Sequence, residues 1–313
     1  MKSVRLYAVI VLLSLVAAVL IAEIGLRAAS FSSGTGTGRA ARRWVEENWK
    51  PINKLGYRDV EIETDKTKRQ IVFLGDSFTS GHGVKFNETN YYLAKNFGGE
   101  KYQYINAGQN GASTRMEIQN FDDLLKKYNL NIELVVHQYL GNDIDDYVRK
   151  APIYDRSNFR KFLIKVSEVA NLIDSYFFYR SFATQYYDSL FSAYTDAPTL
   201  KKHLTDLKSL HAKIHGTGAK LLFLVFPFLN TDAVLSQSGI YVAPLKDYFL
   251  SNCSPGDAMF DVSPIASKLT REERTVNAMD AHPSALLHSM IAKDVHDFIN
   301  GKMTGVDSII FCK

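Results

Sequence analysis

Cysteine is nearly absent from this chain: Cys253 and Cys312 are the only two among 313 residues, too few for a disulfide scaffold or a cysteine-ligated zinc module. One bridge between them and two separate thiols both remain open. Net charge is also scarce, at a formal +4, and no basic tract is interleaved with aromatics in a recognisable module, which argues against a nucleic-acid partner. The lysines and arginines read as solvated surface. Metal-spaced histidines are missing apart from His211 and His215, four apart on one predicted helix, and that pair alone is too little for a site. No cofactor fingerprint appears either. Ser32-Ser33-Gly34-Thr35-Gly36-Thr37-Gly38 has the composition of a phosphate loop, but no strand precedes it, so it reads as a flexible tether. Neither a metal nor a cofactor is expected.

Long apolar runs are confined to one place. After Met1-Lys2-Ser3-Val4-Arg5 come seventeen uncharged residues, Leu6 to Ala22, rich in Leu, Val, Ala and Ile. That length is short for a spanning helix, and extension through Ile24-Gly25-Leu26 would suit it if Glu23 and Arg27 reach the interface. A cleaved signal peptide is the competing reading. No clean Ala-x-Ala site follows and no nearby cysteine offers lipid attachment, which favours an uncleaved membrane anchor. Lys2 and Arg5 before the span are matched by Arg27, Arg39, Arg42 and Arg43 after it, so counting positive charges does not set the orientation.

Beyond the tether the chain alternates short apolar runs with helical periodicity. Ile71-Val72-Phe73-Leu74 has no charge and reads as a strand covered on both faces, and it ends in Gly75-Asp76-Ser77-Phe78. Tyr104-Ile105-Asn106-Ala107, Leu134-Val135-Val136-His137-Gln138-Tyr139 and Leu221-Leu222-Phe223-Leu224-Val225-Phe226 repeat the pattern, with Met259-Phe260-Asp261-Val262 as a short fifth strand. Leu200, Leu204, Leu207, Leu210 and Ile214 recur at helical spacing between two of them. The expectation is an α/β fold: a three-layer α/β/α sandwich on a central, mainly parallel sheet of about five strands, plus the N-terminal transmembrane helix.

In such sheets ligands bind at the carboxyl ends of the strands, and Ser77 falls at one of them. A serine nucleophile needs a base, and the base needs an orienting group. Asp280-Ala281-His282-Pro283-Ser284 supplies both, because residues two apart in an extended stretch share a face. Asp280 can accept from one ring nitrogen of His282 while the other takes the Ser77 proton. Pro283 is expected in the first turn of a following helix. Leu140-Gly141-Asn142-Asp143 presents an amide after another strand, where Asn142 can join the Ser77 backbone N–H at a developing oxyanion. Gly111, or else Gly108, can offer a further N–H. His82 lies near Ser77 but has no acid at a useful spacing, and ranks below His282. His137, His211, His215, His288 and His296 read as structural or exposed.

In order and spacing these four blocks resemble the SGNH (GDSL-like) hydrolase superfamily, over roughly residues 69 to 300. The resemblance implies a flavodoxin-like sheet, Ser77 as nucleophile, Gly111 and Asn142 as oxyanion donors with the Ser77 N–H, and His282 with Asp280 as base and orienting acid. Many members place that acid three residues before the histidine; here it is two, a spacing also seen in membrane-anchored relatives. The third block is compressed, with Leu140 where a glycine is common. Asn53-Lys54-Leu55-Gly56-Tyr57-Arg58-Asp59 is similar to bacterial members with an N-terminal membrane segment. The implied activity is a serine esterase acting on an O-acyl ester of a small molecule, envelope glycan or lipid, outside the cytoplasm. Transfer of the acyl group to a polysaccharide hydroxyl and a non-catalytic glycan-binding role are the alternatives.

The expected organisation is an anchor at 1–28, a linker at 29–66, a catalytic domain at 67–302 and a tail at 303–313. Within the domain, about 150–197 reads as a helical insertion. Its rings include Phe159, Phe162, Tyr176, Phe177, Phe178, Tyr179, Phe182, Tyr186, Tyr187 and Phe191. Such an insertion can roof a site, bind a glycan or rest on a membrane.

Overall fold

Six strands form the central sheet: β1 (Arg69–Gly75), β2 (Tyr102–Gly108), β3 (Ile132–Leu140), β4 (Lys220–Phe226), β5 (Ala258–Asp261) and β8 (Ile309–Phe311), with a separate hairpin of β6 (Thr275–Asn277) and β7 (Asp280–Pro283). The computed structural model describes residues 2–28, 38–62, 67–148, 155–302 and 308–312. All but Gly38 of the expected tether therefore lies outside the described residues.

The helices are α1 (Lys2–Ala28), α2 (Arg39–Asn48), α3 (Ser77–Ser80), α4 (Asn90–Gly98), α5 (Thr114–Lys127), α6 (Asn158–Val166), α7 (Glu168–Ile173) and α8 (Arg180–Thr195). They continue with α9 (Ala197–Gly216), α10 (Asp232–Leu235), α11 (Gly239–Asn252), α12 (Ser263–Ala266), α13 (Arg271–Arg274) and α14 (Ala285–Ile299). A π-helical turn, Asp174–Tyr179, joins α7 to α8. The chain divides into two units, Met1–Glu47 with Ile153–Thr184, and Asn48–Pro152 with Gln185–Lys313.

In the larger unit the sheet order is β2-β1-β3-β4-β5-β8. The first five strands are mutually parallel and β8 runs antiparallel to β5. The sixth strand exceeds the expected count because Ile309-Ile310-Phe311 is too short a run to stand out from the sequence; its pairing with β5 is accompanied by a Cys253–Cys312 disulfide.

Register assigns the two faces of the sheet. Phe73 meets Tyr91 of α4 edge-on, whereas the next residue, Leu74, pairs with His137, whose ring meets His211 of α9. Side chains alternate along a strand, so α4 lies on one face and α9 on the other. Helix α14 packs with α4, and α5 with α9, giving three layers. Leu287, Ile291 and Val295 of α14 and Leu207, Leu210 and Ile214 of α9 are fully buried, at the spacing of one helical stripe. Burying side chains of that size stabilises by roughly 1.5–3 kcal/mol each, which is why the apolar stripes dictate the layering.

Buried polar groups are joined into chains. His137 bonds Glu117 Oε2 through Nε2 and His211 Nε2 through Nδ1, each at 3.0 Å, and His211 Nδ1 bonds Tyr248 OH at 3.0 Å. His211 thus faces the sheet, while His215 turns to Asp257 at 2.9 Å, so the two histidines serve different contacts. Pro283 ends β7 and does not enter the next helix. Ser284 is the cap instead, its hydroxyl accepting from Leu287 N at 3.2 Å, which leaves Pro283 one residue outside.

The smaller unit holds α1, most of α2, α6, α7 and the π-helical turn. Helix α1 is long and apolar enough to cross a membrane, from Val4 to Ala28, and its side chains are exposed from Val4 to Ala22. Near its end the Glu23 carboxylate accepts hydrogen bonds from Ser167 Oγ at 2.9 Å and from Glu168 N and Val169 N at 3.0 Å.

Candidate active site

Strand β1 has β2 on one side and β3 on the other, so successive connections leave it in opposite directions and a crevice opens at their carboxyl ends. Ser77 follows β1 there and opens α3. Asp76 caps that helix, its Oδ1 accepting from Phe78 N at 2.8 Å, and the chain leaves through Gly81 at φ 71°. Such a tight turn needs a residue that tolerates the left-handed region, which glycine does. Packing is equally close: a Cβ on Gly108 would lie 2.4 Å from Ser80 N, so the end of β2 admits α3 only because Gly108 has no side chain.

The β6–β7 hairpin brings the distant segment to this crevice. At its contact with the loop that follows Ser77, a Cβ on Gly83 would lie 2.6 Å from Val276 Cγ2 and 3.0 Å from Asp280 Oδ2. Asp280 and His282 stand two apart in the extended β7. His282 Nδ1 is 2.5 Å from Asp280 Oδ1, and His282 Nε2 is 2.9 Å from Ser77 Oγ. A carboxylate only accepts, so Nδ1 is the donor of that pair, and Nε2 is the ring nitrogen that faces the serine hydroxyl. Asp280 is buried, and its Oδ1 also accepts from His282 N at 3.1 Å, which fixes the carboxylate against the strand.

The oxyanion candidates occupy the two flanking loops. Gly111, at φ 73°, sits in a turn closed by Ala112 N to Gln109 O at 3.0 Å, and Gln109 N ties this loop to Gly75 O at 3.0 Å. Asn142 follows β3 in a loop held by Asp143, whose N donates to Leu140 O at 2.9 Å and whose Oδ2 accepts from Leu140 N at 3.1 Å. The Asn142 side chain lies near Asp76 and helps to lower its pKa. Burial raises the Asp76 carboxyl to about 6, against the Phe78 amide bond that lowers it. Burial likewise pushes the Asp143 carboxyl well up, and the neighbouring Glu117 and Asp76 charges push the same way.

From the sequence His82 ranks below His282, yet the fold packs the two rings together, tilted by 47° with centroids 4.5 Å apart. Burial and the adjacent His282 lower the His82 pKa to about 4, so this second imidazole is neutral at physiological pH. Its Nδ1 lies 3.0 Å from Asn110 Nδ2, Asn110 Oδ1 lies 2.5 Å from Ser80 Oγ, and Trp49 packs 5.6 Å away. Neither Asn110 nor Trp49 carried a signal of its own.

Arg58 did, within the Leu55-Gly56-Tyr57-Arg58-Asp59 stretch. Its buried guanidinium donates to Gly81 O at 2.5 Å, Val84 O at 2.8 Å, Asn48 O at 3.0 Å and Ser80 O at 3.3 Å, clasping the loop that follows Ser77. Asp59 beside it accepts from Asn106 N at 2.8 Å and Tyr91 OH at 2.5 Å. This stretch thus supports both the turn that follows Ser77 and β2.

Among the described residues two sets of donors gather closely enough to hold an ion, each within 4.8 Å: His82, Asp280 and His282, and Glu117, His137 and Asp143. In the first, His282 and Asp280 are already bonded to each other, and in the second His137 already bridges Glu117 and His211. Hydrogen bonding accounts for both gatherings without an ion.

No family model matches this chain, and no curated protein does. Among solved structures it is similar to TesA, at 15% identity over 75% of this chain and 100% of that one, with a TM-score of 0.47. It is also similar to the lipase/acylhydrolase from Enterococcus faecalis (15% identity, 76% and 99% covered, TM-score 0.43). A third is the psychrotrophic esterase EstA from Pseudoalteromonas sp. (14% identity, 75% and 98% covered, TM-score 0.44). Likeness at this level assigns no chemistry, which has to come from the crevice itself.

Proposed function

We propose that the chain is a serine ester hydrolase that cleaves an O-acyl ester through an acyl-serine intermediate, with Ser77 as nucleophile, His282 as general base and Asp280 as its orienting acid. The observation that carries this reading is the continuous hydrogen-bonded path from Ser77 Oγ through His282 to Asp280. His282 takes the Ser77 proton as Oγ attacks the ester carbonyl, and returns it to the departing alkoxide; the acyl group stays on Oγ until water, deprotonated by the same imidazole, releases it. Asp280 stabilises the imidazolium formed at each stage.

The Ser77 N–H, the Gly111 N–H and the Asn142 amide are assigned to the oxyanion. The Asn142 amide has two hydrogens to offer a developing oxyanion. Donors of this kind are worth about 10²–10³ in turnover each. The substrate class is the acyl ester of an envelope glycan or lipid. Helix α1 as a membrane anchor supports that class, as does the Cys253–Cys312 disulfide, because such bonds persist in oxidising compartments outside the cytoplasm.

The test is hydrolysis of short aryl esters together with labelling by an active-serine phosphonate. Wild type should turn over and label once, and Ser77→Ala should do neither while keeping its fold by circular dichroism. Full activity in Ser77→Ala would overturn the assignment.

A further inference from the structure

The aromatic insertion carries exposed rings that the proposed chemistry does not use. Phe159 and Phe162 stand one turn apart on α6 and are 69% and 59% exposed, while Tyr176, Phe177 and Phe178 follow one another on the π-helical turn, all exposed. Large apolar groups concentrated this way mark an interaction surface. What covers them is indicated by where α1 holds them.

At 1.5 Å per residue, the rise from Val4 to Glu23 is about 29 Å, which matches a hydrocarbon core of about 30 Å. A helix entering the bilayer near Val4 therefore brings Glu23 to the opposite boundary. There the carboxylate is taken up by Ser167 Oγ, Glu168 N and Val169 N, and Arg27 Nη2 donates to Val166 O at 2.8 Å. The junction between α6 and α7 is thereby pinned at the level of the lipid headgroups. All of these residues belong to one compact unit.

We propose that α6 and the π-helical turn form a platform that rests on the surface of the bilayer crossed by α1, with Phe159, Phe162, Tyr176, Phe177 and Phe178 entering the headgroup region. Aromatic rings are favoured at that depth. The neighbouring cations suit an anionic lipid surface: Lys161 and Lys165 on α6 are exposed, and Arg160 stands 4.2 Å from the Phe178 ring centroid while pairing with Asp174. Glu23 is the clamp that couples the platform to the anchor. This inference rests on the reading of α1 as a membrane anchor.

The experiment reconstitutes the full chain in vesicles of phosphatidylcholine and phosphatidylglycerol with brominated acyl chains. Emission added by Phe177→Trp, over the parent with Trp44 and Trp49, is measured against Leu13→Trp as the report on the anchor itself. Both added signals should be quenched by the brominated lipid, and the signal at 177 should resist soluble acrylamide. Adding Glu23→Ala should restore emission at 177 and leave the quenching at 13 unchanged. Quenching at 13 without quenching at 177 overturns the platform alone, including the case where 177 is shielded from acrylamide by a protein partner. Quenching at 177 that survives Glu23→Ala overturns the clamp. Absence of quenching at 13 removes the anchor, and the platform with it.

Discussion

Replacing Arg58 with methionine keeps the aliphatic bulk of the side chain and deletes the cation that clasps the loop after Ser77. The carbonyls of Ser80, Gly81 and Val84 lose a charged donor in a buried place, and that of Asn48 a fourth bond. Burial lowers the Arg58 pKa to about 10, partly opposed by Glu88, so the group is still charged at neutral pH and its bonds are charge-assisted. Hydrogen bonds of that kind contribute about 1.5–3 kcal/mol each, though losses at one residue do not add. Some cost is recovered because the mutant need not bury a charge, leaving a net destabilisation of about 3–5 kcal/mol. A domain stable by roughly 5–15 kcal/mol survives that loss. The chemistry suffers more, since a shift of about 1 Å in a reacting group costs about 10²-fold. Urea unfolding should show the lower midpoint with the slope unchanged, and kcat on an aryl ester should fall about a hundredfold. Arg58→Lys, with one ammonium in place of a planar fork, should fall between the two. An Arg58→Met protein with the wild-type midpoint and the wild-type rate of phosphonate labelling would refute the clasp.

Asp280→Asn should leave the unfolding midpoint nearly unchanged and lower kcat by about 10³–10⁴, because the amide admits the wrong His282 tautomer; a loss under tenfold in steady-state assays would remove Asp280 from the relay. Stability should fall in acid. Burial lowers His82 to about 4 and His203 and His288 to about 3, so below about pH 6.5 the unfolded chain binds more protons than the folded one, and each imidazole withdraws roughly 3–5 kcal/mol by the time its folded value is reached. Asp59 and Asp76, raised to about 6 by burial, act in the opposite sense between their ordinary value and 6, at roughly 3 kcal/mol each; Asp143, also raised by burial, acts with them, while His211, lowered by burial, adds to the loss, so the carboxyls offset only part of it. A urea midpoint that stays level or rises from pH 6.5 to 4 would contradict this. Cys253→Ser should cost about 3–4 kcal/mol, from the loop of 59 residues that the disulfide closes. Equal melting temperatures with and without reductant would show that the bond contributes nothing.

Strands β1 and β4 were the most legible because each carries an uninterrupted apolar run covered on both faces, as in Ile71-Val72-Phe73-Leu74, which lies wholly buried in β1. Helix α9 was legible from Leu207, Leu210 and Ile214, whose spacing places all three inward. The hairpin of β6 and β7 was not, being strands of three and four residues with no alternation to reveal them. Ser77, His282 and Asp280 could be nominated by residue type and by their positions at element ends. His82, Asn110 and Trp49 could not, since their relation to His282 arises only when β1, β2 and the segment before them fold together. Arg58 lay in a stretch that stood out, but its clasp of four carbonyls is a property of the loop it meets.

By itself the sequence determined the alternation of strands and helices, the apolar N-terminal span, and the short list of groups able to do acyl chemistry. Those follow from local periodicity and side-chain chemistry, which neighbours along the chain are enough to express. Tertiary structure alone decided that residue 282 meets residue 77 at 2.9 Å, that His82 packs against His282 and is kept neutral, and that Glu23 closes on the start of α7. Hydrogen bonds form over about 3 Å and burial depends on every layer of the core, so neither distance nor desolvation can be read before the chain has closed on itself.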